Sequence, residues 1–228
     1  MTVGVAISSY KYGMYLANCL DSVFAQTKKP DQIIVVDDAS DDGGLTKHIA
    51  DMWGVECIVR EKNMGTRDNF QDILVNHMKT DLMFFLGADN WLHPQYIERT
   101  YEQINDRVKL VGTNTYIVGE FGNMVCHIAP DWYNDSRDLP MWDYKEKNLE
   151  YDNWIHGSAL FDRKIAIELG GFYPSVVTQL SDHDMWRAFY KAGWEVRKSD
   201  LPLLYYRKHR FNFNQSEVKL GIEQRGQK

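Results

Sequence analysis

Residues 82–91 read Leu-Met-Phe-Phe-Leu-Gly-Ala-Asp-Asn-Trp. Five large apolar residues in succession leave no polar face for water. A short run of this kind is a strand buried on both sides, as in a parallel sheet. The run ends in a small residue, Gly87, and a lone carboxylate, Asp89, which therefore stands at the strand's carboxyl edge. In open α/β sheets ligands bind at that edge. Two readings of Asp89 stay open. One carboxylate there suits a divalent cation holding a phosphate. Alternatively, Asp89-Asn90 starts a turn and caps the helix announced by Pro94.

The preceding segments repeat one pattern. Residues 3–9 form an apolar strand, and residues 14–26 follow with Leu16, Leu20, Val23 and Phe24 at helical spacing. Ile33-Ile-Val-Val36 is a β-branched strand that runs into Asp37-Asp38, a turn cluster follows over 39–44, and a short helix covers 45–52. A third strand spans 55–59. After Asn63-Met-Gly65 a helix is expected over 66–78, before the strand at 82–86. Strand and helix alternate three times, which predicts a mostly parallel sheet with helices on both faces and right-handed crossovers. Asp37, Asp38 and Asp89 then fall on one sheet edge, a clustering that capping alone does not require.

The second half is less regular. A helix runs from Pro94 to about residue 104, a strand spans 108–118, and residues 123–128 pair with it as a hairpin. Residues 130–154 hold Trp132, Tyr133, Trp142, Tyr144, Tyr151 and Trp154 without clear periodicity. This stretch is either a candidate acceptor-binding lobe or a flap over the sheet. Ser158-Ala-Leu-Phe161 is a short strand, and the helix at 163–169 stops at Gly170-Gly171. Residues 172–180 are a loop. Ser181-Asp-His-Asp184 opens a helix that Gly193 ends, and Leu203-Leu-Tyr-Tyr206 is the last strand.

Composition narrows the function classes. With 44% apolar residues among 228, a sizeable core is available. The formal charge is −6, which argues against a nucleic-acid-coating protein. Cys19, Cys57 and Cys126 are too widely spaced for a zinc pattern or a disulfide framework, which favours a reducing compartment. No apolar run approaches the ~20 residues of a membrane span, and no secretory signal opens the sequence. The expectation is a cytoplasmic protein, or one peripheral to a membrane surface.

Taken together, Val5-Ala-Ile-Ser-Ser-Tyr10, Leu20-Asp-Ser-Val-Phe-Ala-Gln-Thr27, Ile34-Val-Val-Asp-Asp-Ala-Ser-Asp41, Asn63-Met-Gly65, Gly87-Ala-Asp89 with Pro94, Gly157-Ser-Ala-Leu-Phe161, Gly170-Gly-Phe172 and Ser181-Asp-His-Asp-Met-Trp-Arg187 resemble the family 2 glycosyltransferases. The resemblance covers about residues 3–210. It implies a single GT-A domain: an α/β, Rossmann-like sheet with a nucleotide-sugar half at about 1–105, a smaller acceptor-side half at about 106–210, and a tail at 211–228. It also implies inverting transfer of a sugar from a nucleotide diphosphate donor, with Mn²⁺ or Mg²⁺, to a hydroxyl of a glycan or other acceptor.

The resemblance also carries residue roles. Ser8 and Asp38 match the positions that hold the nucleoside base, and a carboxylate can accept a uracil imide N–H. A uridine donor is therefore the default. Tyr10 and Ala88 join the expected donor contacts. Asp89 matches the metal-binding last acid of the Asp-x-Asp motif, whose first acid is replaced here by Gly87. Asp182 matches the catalytic base, with Ser181 where the family usually has Glu. Such a base removes the acceptor proton during attack, and a helix start favours its ionised form. On its residues alone, Asp182 reads rather as an N-cap or first-turn acid of its helix, and it is the resemblance that favours the base. Asp184 matches a second acid with an orienting role. His209 matches a histidine that completes the metal site in several members, or it is simply solvated in a basic segment. Arg67 either reaches the base or a phosphate, or is an exposed helix residue. Arg207 and Arg210 could neutralise the diphosphate leaving group.

Other classes fit less well. A dinucleotide-binding oxidoreductase needs Gly-x-Gly-x-x-Gly after the first strand, and Ile7-Ser-Ser-Tyr-Lys-Tyr-Gly13 lacks it. A sugar nucleotidyltransferase expects a Gly-rich, Arg-containing loop there. A non-catalytic nucleotide-sugar or glycan-binding relative stays open, because two motif acids are missing. A transferase acting on modified DNA bases would need a basic acceptor surface.

Overall fold

In the computed structural model, described over residues 1–122, 124–126, 149–150, 153–175 and 181–209, the alternation becomes one mixed sheet. The strands are β1 (Val3–Ser9), β2 (Gln32–Asp37), β3 (Glu56–Val59), β4 (Leu82–Gly87), β5 (Trp91–Leu92), β6 (Val108–Val118), β7 (Met124–Cys126), β8 (Leu160–Asp162) and β9 (Glu195–Arg207). Their order is β3-β2-β1-β4-β8-β6-β9-β5, with β7 paired to β6. β3, β2, β1 and β4 are mutually parallel, as are β6 and β9. β8 joins these two parallel blocks and is antiparallel to both neighbours.

The helices are α1 (Gly13–Phe24), α2 (Leu45–Met52), α3 (Gly65–Asp72), α4 (Tyr96–Tyr101), α5 (Arg163–Glu168) and α6 (Ser181–Lys191). Alternate strand residues feed two cores. Val3, Val5, Ile7, Leu82, Phe84 and Leu86 face Leu16, Leu20 and Val23 of α1 and Tyr96 and Ile97 of α4. Ala6, Met83 and Phe85 face Ile73 and Leu74 beyond α3, Ile165 of α5, and Trp186 and Phe189 of α6. Burial on both sides is what the uninterrupted apolar runs demanded.

Three boundaries and one added strand stand out against expectation. The helix expected over 66–78 ends as an α-helix at Asp72 and continues as a π-turn over Ile73–His77. The helix after Pro94 is shorter and ends at Tyr101. The two-residue strand β5 was not anticipated. The last strand begins at Glu195 rather than Leu203. Its polar first half, Glu-Val-Arg-Lys-Ser-Asp, lacks strand composition and takes its conformation from pairing alongside β6. Trp154, part of the aromatic stretch, is a core residue here. Trp132, Tyr133, Trp142, Tyr144, Tyr151, Arg210 and the 211–228 tail lie outside the described residues.

Register positions the site. Ser8 pairs with Gly87 and Ser9 with Asp37, so β1, β2 and β4 end side by side. β8 runs opposite to β4, with Met83 opposite Phe161. The residues just before β8, His156 and Gly157, therefore lie toward the carboxyl edge of β4. Trp91 pairs antiparallel with Tyr205, which carries the end of β9 past Asp89.

Candidate active site

The edge holds two clusters. In the first, Asp89 follows β4 and is nearly fully buried. Its Oδ2 lies 3.1 Å from His209 Nε2. The His209 ring packs on Tyr12 and Tyr15, at centroid distances of 5.2 and 5.0 Å. Arg207 clamps the same corner. Its Nε donates to the Asp89 carbonyl at 2.8 Å, its Nη1 to the Glu120 carbonyl at 2.5 Å and its Nη2 to Asn18 Oδ1 at 2.8 Å. The guanidinium also sits over the rings of Tyr15 and Trp91. These contacts make Arg207 a buttress of the Asp89 turn, and burial lowers its pKa.

Gly87 is not an empty substitute for an acid. A methyl group added there would lie 2.6 Å from Asp89 Oδ1 and 2.9 Å from Asn90 Nδ2. Asp89 and Asn90 occupy the space into which a side chain at 87 would project.

In the second cluster, Asp182 stands in the first turn of α6. Its Oδ1 accepts from the His183 backbone N–H at 2.9 Å. Burial raises its pKa against that hydrogen bond and the nearby His183 charge. A methyl group added at Gly157 would come within 3.1 Å of Asp182 Oδ2, so the carboxylate lies directly on the glycine backbone. The Ser158 carbonyl accepts a short hydrogen bond from the buried Tyr96 hydroxyl, which ties this turn to α4.

His156 and Tyr206 connect the clusters. Their rings meet edge to face at 5.5 Å. Burial depresses the His156 pKa to about 4, so its imidazole is neutral near pH 7. His156 Nδ1 lies 3.1 Å from the Ser158 N–H and accepts from it, which puts the ring proton on Nε2. Burial, with the Asp89 charge, raises the Tyr206 pKa. Neither residue was picked out from the sequence. Their one signal there was adjacency, His156 to Gly157-Ser158 and Tyr206 to Arg207.

The other expected donor contacts have varied surroundings. Ser8 ends β1 beside Gly87, and its carbonyl accepts from the Ala88 N–H. Tyr10 is exposed on the adjoining loop. The two Asp38 carboxylate oxygens accept from the Met64 and Gly65 N–H groups, at 2.8 and 3.0 Å, and cap the start of α3. Arg67 and Asp184 are ion-paired at 2.8 Å.

Among the described residues no group of three or more His, Cys, Asp or Glu side chains could enclose a cation. Asp89 and His209 supply one oxygen and one nitrogen from adjoining positions. A carboxylate with an imidazole would suit Mn²⁺, which accepts oxygen and nitrogen ligands, better than Mg²⁺, which prefers oxygen.

Residues 4–170 match the family model for glycosyl transferase family 2. The chain belongs to that family. An uncharacterized glycosyltransferase of Rickettsia bellii is 26% identical over 96% of this chain and 31% of its own length. This family 2 chain thus spans less than a third of that relative. TarS of S. aureus, solved with UDP-GlcNAc, superposes with a TM-score of 0.70 at 17% identity, over 95% of this chain and 61% of its own. The mannosyltransferase PcManGT of Pyrobaculum calidifontis, solved with GDP-Man and Mn²⁺, gives 0.67 at 15% identity, over 96% and 60%. The fold is GT-A, with helices on both faces of the sheet. Among the described residues no helix is long and apolar enough to cross a membrane.

Proposed function

We propose that this family 2 chain transfers a sugar, with inversion, from a nucleotide diphosphate donor to a hydroxyl of a glycan or other acceptor. The observation that carries the reading is the pairing of Asp89 with His209 on the sheet edge where Asp182 rests against Gly157. TarS with UDP-GlcNAc supports a uridine donor, and PcManGT with Mn²⁺ supports a divalent cation.

Asp89 and His209 would hold that cation. When bound, it offsets the charge that grows on the departing diphosphate. Asp182 takes the proton of the acceptor hydroxyl as the oxygen attacks the anomeric carbon. The bond from that carbon to the diphosphate oxygen breaks on the opposite face, which inverts the centre. The raised pKa of Asp182 makes it a stronger base than an ordinary carboxylate.

A thermal-shift screen of uridine and guanosine diphosphate sugars, with and without Mn²⁺, tests the reading. A Mn²⁺-dependent rise in melting temperature with one UDP-sugar, and slow release of UDP from it, is the expected result. No shift with any nucleotide sugar would count against it.

A further inference from the structure

From sequence, Arg67 has two possible roles, a donor contact or an exposed helix residue; its side chain is largely buried, and it is engaged within the protein. Its Nη2 donates to Asp184 Oδ2 at 2.8 Å, and its Nη1 makes a short hydrogen bond to the Phe172 carbonyl. The Asp184 side chain has no solvent exposure. A carboxylate so buried needs a close cation, and breaking such a pair leaves an uncompensated charge. Arg187, on the same helix, is farther away at 3.9 Å.

The rest of α3 grips the same region. Gln71 Oε1 accepts from the Phe172 N–H at 2.8 Å, and the Tyr173 hydroxyl donates to Asp68. At its other end α3 is capped by Asp38, next to the end of β2. A continuous set of polar contacts therefore runs from the sheet edge, along α3, to α6.

We propose that Arg67 is a positioning residue: through Asp184 it sets the rotation of α6, and with it the place of Asp182. The proposal rests on reading Asp182 as the base. Successive helical residues are ~100° apart, so residues 182 and 184 point to nearly opposite sides. Asp184 turned inward to Arg67 leaves Asp182 turned toward Gly157. If the pair is lost, α6 can rotate to hydrate Asp184, and that rotation carries Asp182 off its site. A lysine would keep the charge but not the two-armed reach to Asp184 and Phe172.

The test compares Arg67→Gln, Arg67→Lys and Asp184→Asn with the unaltered chain. Four quantities are read: kcat, donor KM, UDP affinity by calorimetry, and amide exchange over residues 181–191. Arg67→Gln should lower kcat by about tenfold or more, since ångström-scale misplacement costs up to ~100-fold. UDP affinity should stay within about twofold, and α6 exchange should quicken. Arg67→Lys should recover part of kcat. Asp184→Asn keeps the side-chain shape and relieves the buried charge, so it guards against a misfolded Arg67 variant. It should quicken α6 exchange less than Arg67→Gln does, since no unpaired buried carboxylate then drives the helix to turn. A large loss of UDP affinity in Arg67→Gln with kcat kept would make Arg67 a donor contact and overturn the proposal. A lower melting temperature with kcat and α6 exchange unchanged would overturn it too. If the unaltered chain binds no nucleotide, the transferase reading fails. The exchange data then decide by themselves whether the pair holds α6.

Discussion

His209 Nε2 lies 3.1 Å from Asp89 Oδ2, although the two residues are 120 positions apart in the chain. The contact exists because β5, which starts two residues after Asp89, pairs with β9, which ends two residues before His209. His209→Ala should therefore weaken Mn²⁺-dependent UDP binding on the order of tenfold or more. Asp89→Ala should remove the Mn²⁺ dependence altogether. Calorimetry with and without Mn²⁺ measures both. Unchanged affinities in His209→Ala would leave Asp89 as the sole protein ligand of the two.

Restoring an acid at position 87 should harm the site. A Cβ there would press on Asp89 Oδ1 at 2.6 Å, and even Ala displaces Asp89 and Asn90. Gly87→Ala and Gly87→Asp should each lower Mn²⁺-dependent UDP affinity and cost about 1–3 kcal/mol of stability through overpacking. Tighter metal binding in Gly87→Asp would show that Asp89 can turn aside without loss.

Asp182→Asn should abolish transfer while UDP affinity is kept. It should also raise the melting temperature at neutral pH. Burial raises the Asp182 pKa in the folded state, so the native protein binds this proton more tightly than the unfolded chain. Its stability contribution is greatest below the unfolded carboxyl pKa and is lost as pH rises through the folded one. At neutral pH the partly buried charge is a net cost, and the neutral amide removes it. In the unaltered chain kcat/KM should fall with acidification through a pKa above the ordinary carboxylate range. A pH–rate profile and melting curves at two pH values check both parts.

Gly157→Ala places a methyl group 3.1 Å from Asp182 Oδ2. The carboxylate must shift by a few tenths of an ångström. The expected result is a fall in kcat of several-fold to about tenfold, with little change in UDP affinity. Steady-state kinetics at saturating donor, beside calorimetry, separates the two.

Tyr96→Phe removes the donor that meets the buried Ser158 carbonyl. An acceptor left unpaired costs about 1–3 kcal/mol. The loss should appear as a lower urea midpoint with an unchanged m-value.

Much of the fold was legible because strands buried on both faces show themselves as unbroken apolar runs. Ile33–Val36 and Leu82–Leu86 marked two central strands, and the acids that follow them marked the ligand edge. The 195–200 stretch was illegible because Glu, Arg, Lys and Asp carry no strand preference. Its pairing beside β6 is a tertiary choice. The π-turn at Ile73–His77 had no sequence mark either.

The candidate site divides along the same line. Asp89 stood out because it ends a clearly patterned strand, whereas Asp182 was marked only by the resemblance of its segment to family 2. The sequence by itself determined the α/β architecture and the sheet edge at which Asp89 stands. Only the tertiary structure decided what each acid touches. Asp89 meets His209 because β9 passes it, Asp182 meets Gly157 because β8 runs opposite to β4, and Arg67 turns inward because Asp184 is buried. These contacts depend on pairings between strands and helices far apart in the chain, and local pattern carries no information about which distant element will arrive.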